Sequence, residues 1–187
     1  MFVRMLGLII ASGLCASAQQ IDFSSLEKLA AKAKEVNRVS LNQDQLKAAL
    51  SMLSGLDKDM DKDSRKNMDQ LRELTRNLTG IEVRTFEFAK EGQYHDADLD
   101  AIRKQFAGMK EWSKIIDSKE DREHSEIFML MENGKSKGLA VIAAEPTEIS
   151  VVLLKGAASL KDLGGLGGLA GLPNIQMGPH AGQARKD

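Results

Sequence analysis

The sequence predicts an α+β fold: N-terminal helices followed by a largely antiparallel five-stranded sheet with one inserted helix. Three observations carry that prediction. Apolar stripes at helical spacing fill residues 22–80. Short runs of strand formers separated by tight turns fill residues 81–154. Between the first two of those runs, a stretch at helical spacing opens with Asp96, Asp98 and Asp100, carboxylates that complement the dipole of a first turn.

Residues 1–18 read as a secretory leader. Arg4 supplies the positive start and Met5 to Leu14 a short apolar core. Ala16-Ser17-Ala18 supplies the cleavage pattern, so the mature chain is expected to start at Gln19. The apolar core is too short to span a bilayer, which takes ~20 residues. Cys15 poses the question of a lipid anchor. The bulky Leu14 stands where lipid attachment wants a small residue, so Cys15 is placed inside the discarded leader. The remaining chain then carries no cysteine, which suits an oxidising compartment.

Residues 19–163 read as one α+β domain, with a helical part over 19–80 and a sheet part over 81–163. Asp22 to Val36 carries Phe23, Leu26, Leu29, Ala30, Ala33 and Val36 on one helical stripe, and Ser24 with Glu27 fits a capping box. A second helix is expected after Asn42 as its N-cap, with Leu41 stapled to Leu46 and Gly55 as its stop. A third carries Met68, Leu71, Leu74 and Leu78, capped by Gly80.

Ile81 to Phe88 is the first expected strand. Ile81 and Val83 lie on one phase and Phe86 and Phe88 on the other, which calls for a bulge or for burial of both faces. The inserted helix buries Leu99, Ile102, Phe106 and the stem of Arg103, and ends at Gly108. Trp112 to Asp117, Glu126 to Met131, Leu139 to Ala144 and Ile149 to Leu154 follow as an antiparallel meander. Its turns are marked by Asn133-Gly134 and by Glu145 to Glu148. The continuous apolar run from Leu139 to Ala144 reads as a central strand covered on both sides, with Ala140, Ala143 and Ala144 admitting a close helix. Residues 164–187 read as a glycine-rich flexible tail.

With 26 basic and 27 acidic residues, the formal net charge is -1. That argues against a nucleic-acid or polybasic membrane binder, whose affinity needs a dense positive field. A single cysteine rules out a disulfide framework and a cysteine-ligated zinc site. Asp57, Asp59, Asp61 and Asp63 alternate like half a calcium loop. Lys62 stands where the loop needs glycine and Met68 where it needs glutamate, so the segment reads as a solvated linker. Gly165, Gly167 and Ala170 have dinucleotide spacing without the strand before or the helix after. Asn77-Leu78-Thr79 is a glycosylation pattern inside a helical stripe. His95 at a helix start, His124 before a strand and His180 in the tail are separated and read as surface or capping residues. No catalytic, metal or cofactor-binding residue is assigned, and no cofactor is expected.

Several stretches carry a family resemblance. Val83 to Phe88, with Glu91-Gly92-Gln93-Tyr94 and Asp98 to Arg103, is one, and Gly138 to Pro146 with Glu148 to Val152 is another. Trp112 to Ile115 lies between them. Together they resemble the bacterial exported family catalogued as domain of unknown function 4252, over most of the chain up to about Leu163. The resemblance implies an envelope location and a regulatory role, since genes of that family often lie near extracytoplasmic sigma-factor systems. It supplies no catalytic residue.

Two functional classes follow. The first is a non-catalytic module that binds a protein partner in the envelope or forms a homo-oligomer. A sheet that is apolar on both phases leaves an exposed apolar patch if the helices cover one face only, and no patch if they cover both. The second is a small hydrolase-like envelope enzyme, with a polar pocket around Glu87, Glu91 or His124.

Overall fold

The computed structural model describes residues 20–54, 65, 69, 72–73 and 75–158. A six-stranded, wholly antiparallel sheet has the order β1-β2-β6-β5-β4-β3. The strands are β1 (Glu35–Asn42), β2 (Leu78–Glu87), β3 (Trp112–Glu120), β4 (Glu123–Glu132), β5 (Lys135–Glu145) and β6 (Glu148–Gly156). Helix α1 (Ser24–Glu27) runs into a 3-10 turn at Lys28–Ala31, α2 (Gln43–Ser54) follows β1, and α3 (Asp100–Gly108) follows a 3-10 turn at Asp96–Leu99. Among the described residues no helix is long and apolar enough to cross a membrane.

The expected five strands are corrected to six. The new strand is β1, which takes Glu35 and Val36 from the end of the expected first helix and runs on to Asn42, the expected N-cap of the second. The helical stripe stops at Ala31, and the chain crosses into eight continuous register pairs with β2, from Glu35↔Glu87 to Asn42↔Gly80. A ladder of backbone hydrogen bonds outweighs the weak helix preference of the β-branched Val36 and Val39. The stripe residues still reach one core: Phe23, Leu26 and Leu29 are buried in it, and Ala30, Ala33 and Val36 pack against it. Ser24 with Glu27 does not form the expected capping box. Asp22 accepts from the Ser24 N–H at 2.8 Å, and Glu27 pairs with Arg38.

Leu78 and Gly80 are likewise corrected, from the last turn of a helix to the start of β2. The described residues between 65 and 76 are helical. Met68, Leu71 and Leu74 lie outside the described residues, as do the leader, the Asp57–Asp63 segment, the glycine-rich stretch and His180. Asn42 caps the second helix as expected, its Oδ1 accepting from the Gln45 N–H at 2.9 Å, and Gln45 Oε1 accepts in return from the Asn42 N–H at 2.9 Å, a reciprocal bond that was not expected.

The double phase of the first expected strand comes from burial of both faces. No register shift interrupts β2 between Gly80 and Glu87. On one face Phe86, Phe128, Ala140, Ile142, Ile149, Val151 and Leu153 pack with Leu26, Leu99, Ile102 and Phe106. On the other, Val83, Ile127, Leu139, Val141, Val152 and Leu154 pack with Leu46 and Ala158. Ala140 and Ala144 face the helices, whereas Ala143, expected beside them, lies on the opposite face by strand alternation. Ile127, Leu139, Ile142 and Leu154 are each 0% exposed. The broad apolar patch considered from the sequence is therefore not present on these central strands.

Asn133 and Gly134 both take positive φ, at 50° and 73°, as a two-residue hairpin turn between β4 and β5 requires. Gly156 closes β6 at φ 112°, and a Cβ there would stand 2.3 Å from the Asn77 carbonyl oxygen. That close approach lets the Ala157 N–H donate to the same oxygen at 3.0 Å.

Two expected outcomes follow. Val141→Asp and Ile142→Asp place a carboxylate on opposite faces of β5. Each is expected to cost several kcal/mol, on the order of half of a domain's ~5–15 kcal/mol. Thermal melts of both variants check this, and an unchanged melt for either would show that its face is open. Gly156→Ala combines backbone strain with a clash and is expected to lose about 1–3 kcal/mol or more in denaturant titration.

Candidate functional site

The polar residues of the sheet concentrate where α3 crosses β4 and β3. Helical spacing sets Arg103 on the same buried side as Leu99, Ile102 and Phe106. Strand alternation sets Glu126 beside Phe128 on the face that α3 covers. Glu126 is 1% exposed and is held by two cations. Arg103 Nε donates to its Oε2, and Lys114 Nζ donates to its Oε1 at 2.6 Å. A buried carboxylate needs such partners, because losing water around it costs several kcal/mol.

The cluster extends outward from there. Arg103 Nη2 donates to Asp96 Oδ1 at 2.6 Å, and Lys114 Nζ to Asp117 Oδ2 at 2.8 Å. His124 lies between these carboxylates. Its Nε2 is 2.9 Å from Asp117 Oδ1, and its Nδ1 is 3.1 Å from Arg103 Nη2 and 3.3 Å from Asp96 Oδ1. Hydrogen bonds from Lys114 and then His124 hold the Asp117 carboxyl down at about 2. The hydrogen bond from Arg103 is the leading cause that lowers Asp96.

His124 and Asp96 also line an open cleft of about 420 Å³, walled by Tyr94, His95, Lys119, Arg122 and Pro146. Tyr94 stacks on Phe88 with ring centroids 5.1 Å apart, and its hydroxyl donates to the Glu145 carbonyl. Burial, followed by the charges of Asp96 and Glu145, pushes that hydroxyl up to about 12. Burial also raises the Glu145 carboxyl, with Glu148 and Glu123 adding repulsion.

Of the three carboxylate and histidine positions weighed from the sequence, the structure brings Glu91 and His124 to this cleft. Glu91 is taken by an ion pair with Arg122. Glu87 lies outside it, paired with Lys34 at 2.8 Å. His95 precedes the 3-10 turn as a capping residue, its N–H donating to Asp98 at 2.9 Å. The central pair, Arg103 and Glu126, carried only the faintest mark in the sequence: an arginine on a buried helical stripe, and a glutamate beside the apolar run from Ile127.

Asp117, His124 and Glu126 bring three potential ligand atoms within 4.8 Å of one another. A metal ion does not fit among them as they stand, because Lys114 Nζ already sits between Asp117 and Glu126. Nor is His124 poised as a general base. Nε2 is committed to Asp117, and Nδ1 faces Arg103 and Asp96. The arrangement is suited to holding α3 and the turn before it against β3 and β4.

Fold and site together define a two-faced antiparallel α+β domain whose polar centre is an ion-paired cluster under its inserted helix. The chain belongs to the family described as a domain of unknown function (DUF4252), which it matches over residues 22–166. No curated protein and no solved structure matches it.

Glu126→Ala is expected to cost about 3–5 kcal/mol, because it leaves Arg103 without its buried partner. Chemical denaturation of purified protein measures it, and a loss within experimental error would mean water already satisfies the arginine. Acid is expected to weaken the fold through Asp117. Its folded value lies below the ordinary 3.8, so its contribution is fully present above about 4 and is lost as pH falls towards 2. Asp117→Asn should flatten that limb of the stability–pH curve, and an unchanged acid limb would contradict the assignment.

Proposed function

We propose that this protein is exported to the cell envelope and acts there by binding another protein chain, without catalysing a reaction. The observation that carries this reading is the closed pairing of the polar cluster. Arg103, Lys114, Glu126, Asp117, Asp96 and His124 satisfy one another across α3, the 3-10 turn before it, β3 and β4. A catalytic constellation keeps a nucleophile or a base facing the substrate, and here the same groups are spent on holding the helix to the sheet. The export half of the reading rests on Arg4, the short apolar core and Ala16-Ser17-Ala18.

A second reading is a small hydrolase. The observation in its favour is the His124–Asp117 pair at 2.9 Å beside the cleft, an imidazole oriented by a carboxylate, whose Nδ1 would act as base only once Arg103 and Asp96 release it.

In-cell crosslinking of the envelope fraction, followed by mass spectrometry, separates the two. The binding reading expects an N-terminus at Gln19 and a specific crosslinked chain. It is abandoned if no crosslink forms and the purified protein hydrolyses model esters or peptides in a way that His124→Gln abolishes while the variant stays folded. A lipid-modified Cys15 would replace the cleaved leader with an anchor.

A further inference from the structure

The two edges of the sheet are built differently. The β3 edge is interrupted by a register shift between Lys114 and Ile116. Such a bulge twists an edge away from pairing. The β1 edge has no shift across its eight pairs with β2. It contains no proline, and its residues from Asn37 to Ser40 are exposed. Val39 is 39% exposed, one of the few large apolar side chains left open among the described residues.

The backbone shows which groups of this edge are free. Arg84 Nη1 donates to the carbonyls of both Val39, at 3.1 Å, and Val83, at 2.8 Å. One guanidinium nitrogen reaches both oxygens only if both lie between β1 and β2. Antiparallel strands alternate, so Val39 points its N–H and C=O at β2, while Arg38 and Ser40 point theirs outward. Further along, Gln45 Oε1 takes up the Asn42 N–H and closes that end of the edge.

The free stretch is complementary to itself. An antiparallel copy related by a two-fold axis through Val39 sets Arg38 opposite Ser40 on both sides of the axis. Each pair exchanges two N–H···O bonds. The two Val39 residues then meet as a non-hydrogen-bonded pair, the closer of the two kinds, with Cα atoms ~4.5 Å apart. Arg38 brings no uncompensated charge to the axis, since Glu27 of its own chain holds it in a two-toothed ion pair, Nε to Oε1 and Nη2 to Oε2.

We infer that β1 is a self-association edge, and that two copies of this chain join through it into one continuous sheet. The inference rests on the binding reading above and names its partner as a second copy. A single strand pair is a small interface beside the ~1,200–2,000 Å² of standard ones, so the dimer is expected to be reversible and concentration-dependent.

Sedimentation equilibrium over a wide concentration range tests it, together with Val39→Cys in a Cys15→Ser background. Two-fold pairing at Val39 places the new thiols within the Cα separation a disulfide requires. The expected result is a rise to twice the monomer mass and a disulfide-linked dimer of Val39→Cys. Ile115→Cys, on the bulged edge, should form none. Ser40→Pro removes an outward N–H that the β1–β2 ladder does not use. It should shift the protein to monomer at an unchanged melting temperature. A monomer at every concentration with no linked dimer overturns the inference, and the binding reading then stands or falls on the in-cell crosslinks. A dimer that survives Ser40→Pro and leaves Val39→Cys unlinked also overturns it, as does capture of a different chain at position 39.

Discussion

Everything in this molecule follows from central strands that are apolar on both sides. β5 and β6 alternate side chains across a sheet that has no wet face in its middle, so a single layer of helix cannot complete the fold. One side is closed by the N-terminal segment and α3, and the other draws in Leu46 from α2 and Ala158 from beyond β6. Helices are therefore drawn to both faces of the sheet, α1 and α3 to one and α2 to the other.

Enclosing the first side brings a polar group under cover. Glu126 occupies a position where Phe128 and Ile142 would favour another apolar residue. An apolar replacement of similar size is often neutral or stabilising in such sites, so stability alone does not explain a buried ion pair. What the cluster contributes is direction. Arg103 meets Glu126 and Asp96 from α3, Lys114 meets Glu126 and Asp117 from β3, and only one seating of the helix satisfies all of them. An aliphatic contact would tolerate a turn of sliding.

The meander was legible in the sequence because its elements are local. Asn133-Gly134, Glu145 to Glu148, and the unbroken run from Leu139 to Ala144 each announce their own geometry within a few residues. The inserted helix was legible too, from Asp98 and Asp100 at its start to Gly108 at its end. β1 was not. Val36 continues a helical stripe that begins at Phe23, and it reaches the same core whether the chain coils or extends, so spacing alone could not separate the two. Leu78 was misread for the same reason, as one more leucine at helical spacing that in fact opens β2. The cluster was least legible, because its members lie on four elements, and ion pairing between α3 and β4 leaves no periodic trace in the chain. His124, Asp96 and Arg103 each stand out in the sequence, but nothing in the chain shows that they meet.

The strand order also sets a sequence of events in time. Strands β3 to β6 pair with their nearest neighbours along the chain. β2 takes its second partner from β6, as far along as Leu78↔Gly156. Closing so long a loop is entropically unfavourable and slow. A ribosome delivers the N-terminal end first, so β1 and β2 leave it well before the strand that anchors them exists. Until Gly156 has emerged, β2 has only β1 to pair with, and the N-terminal half waits as a two-stranded unit for the sheet it will join.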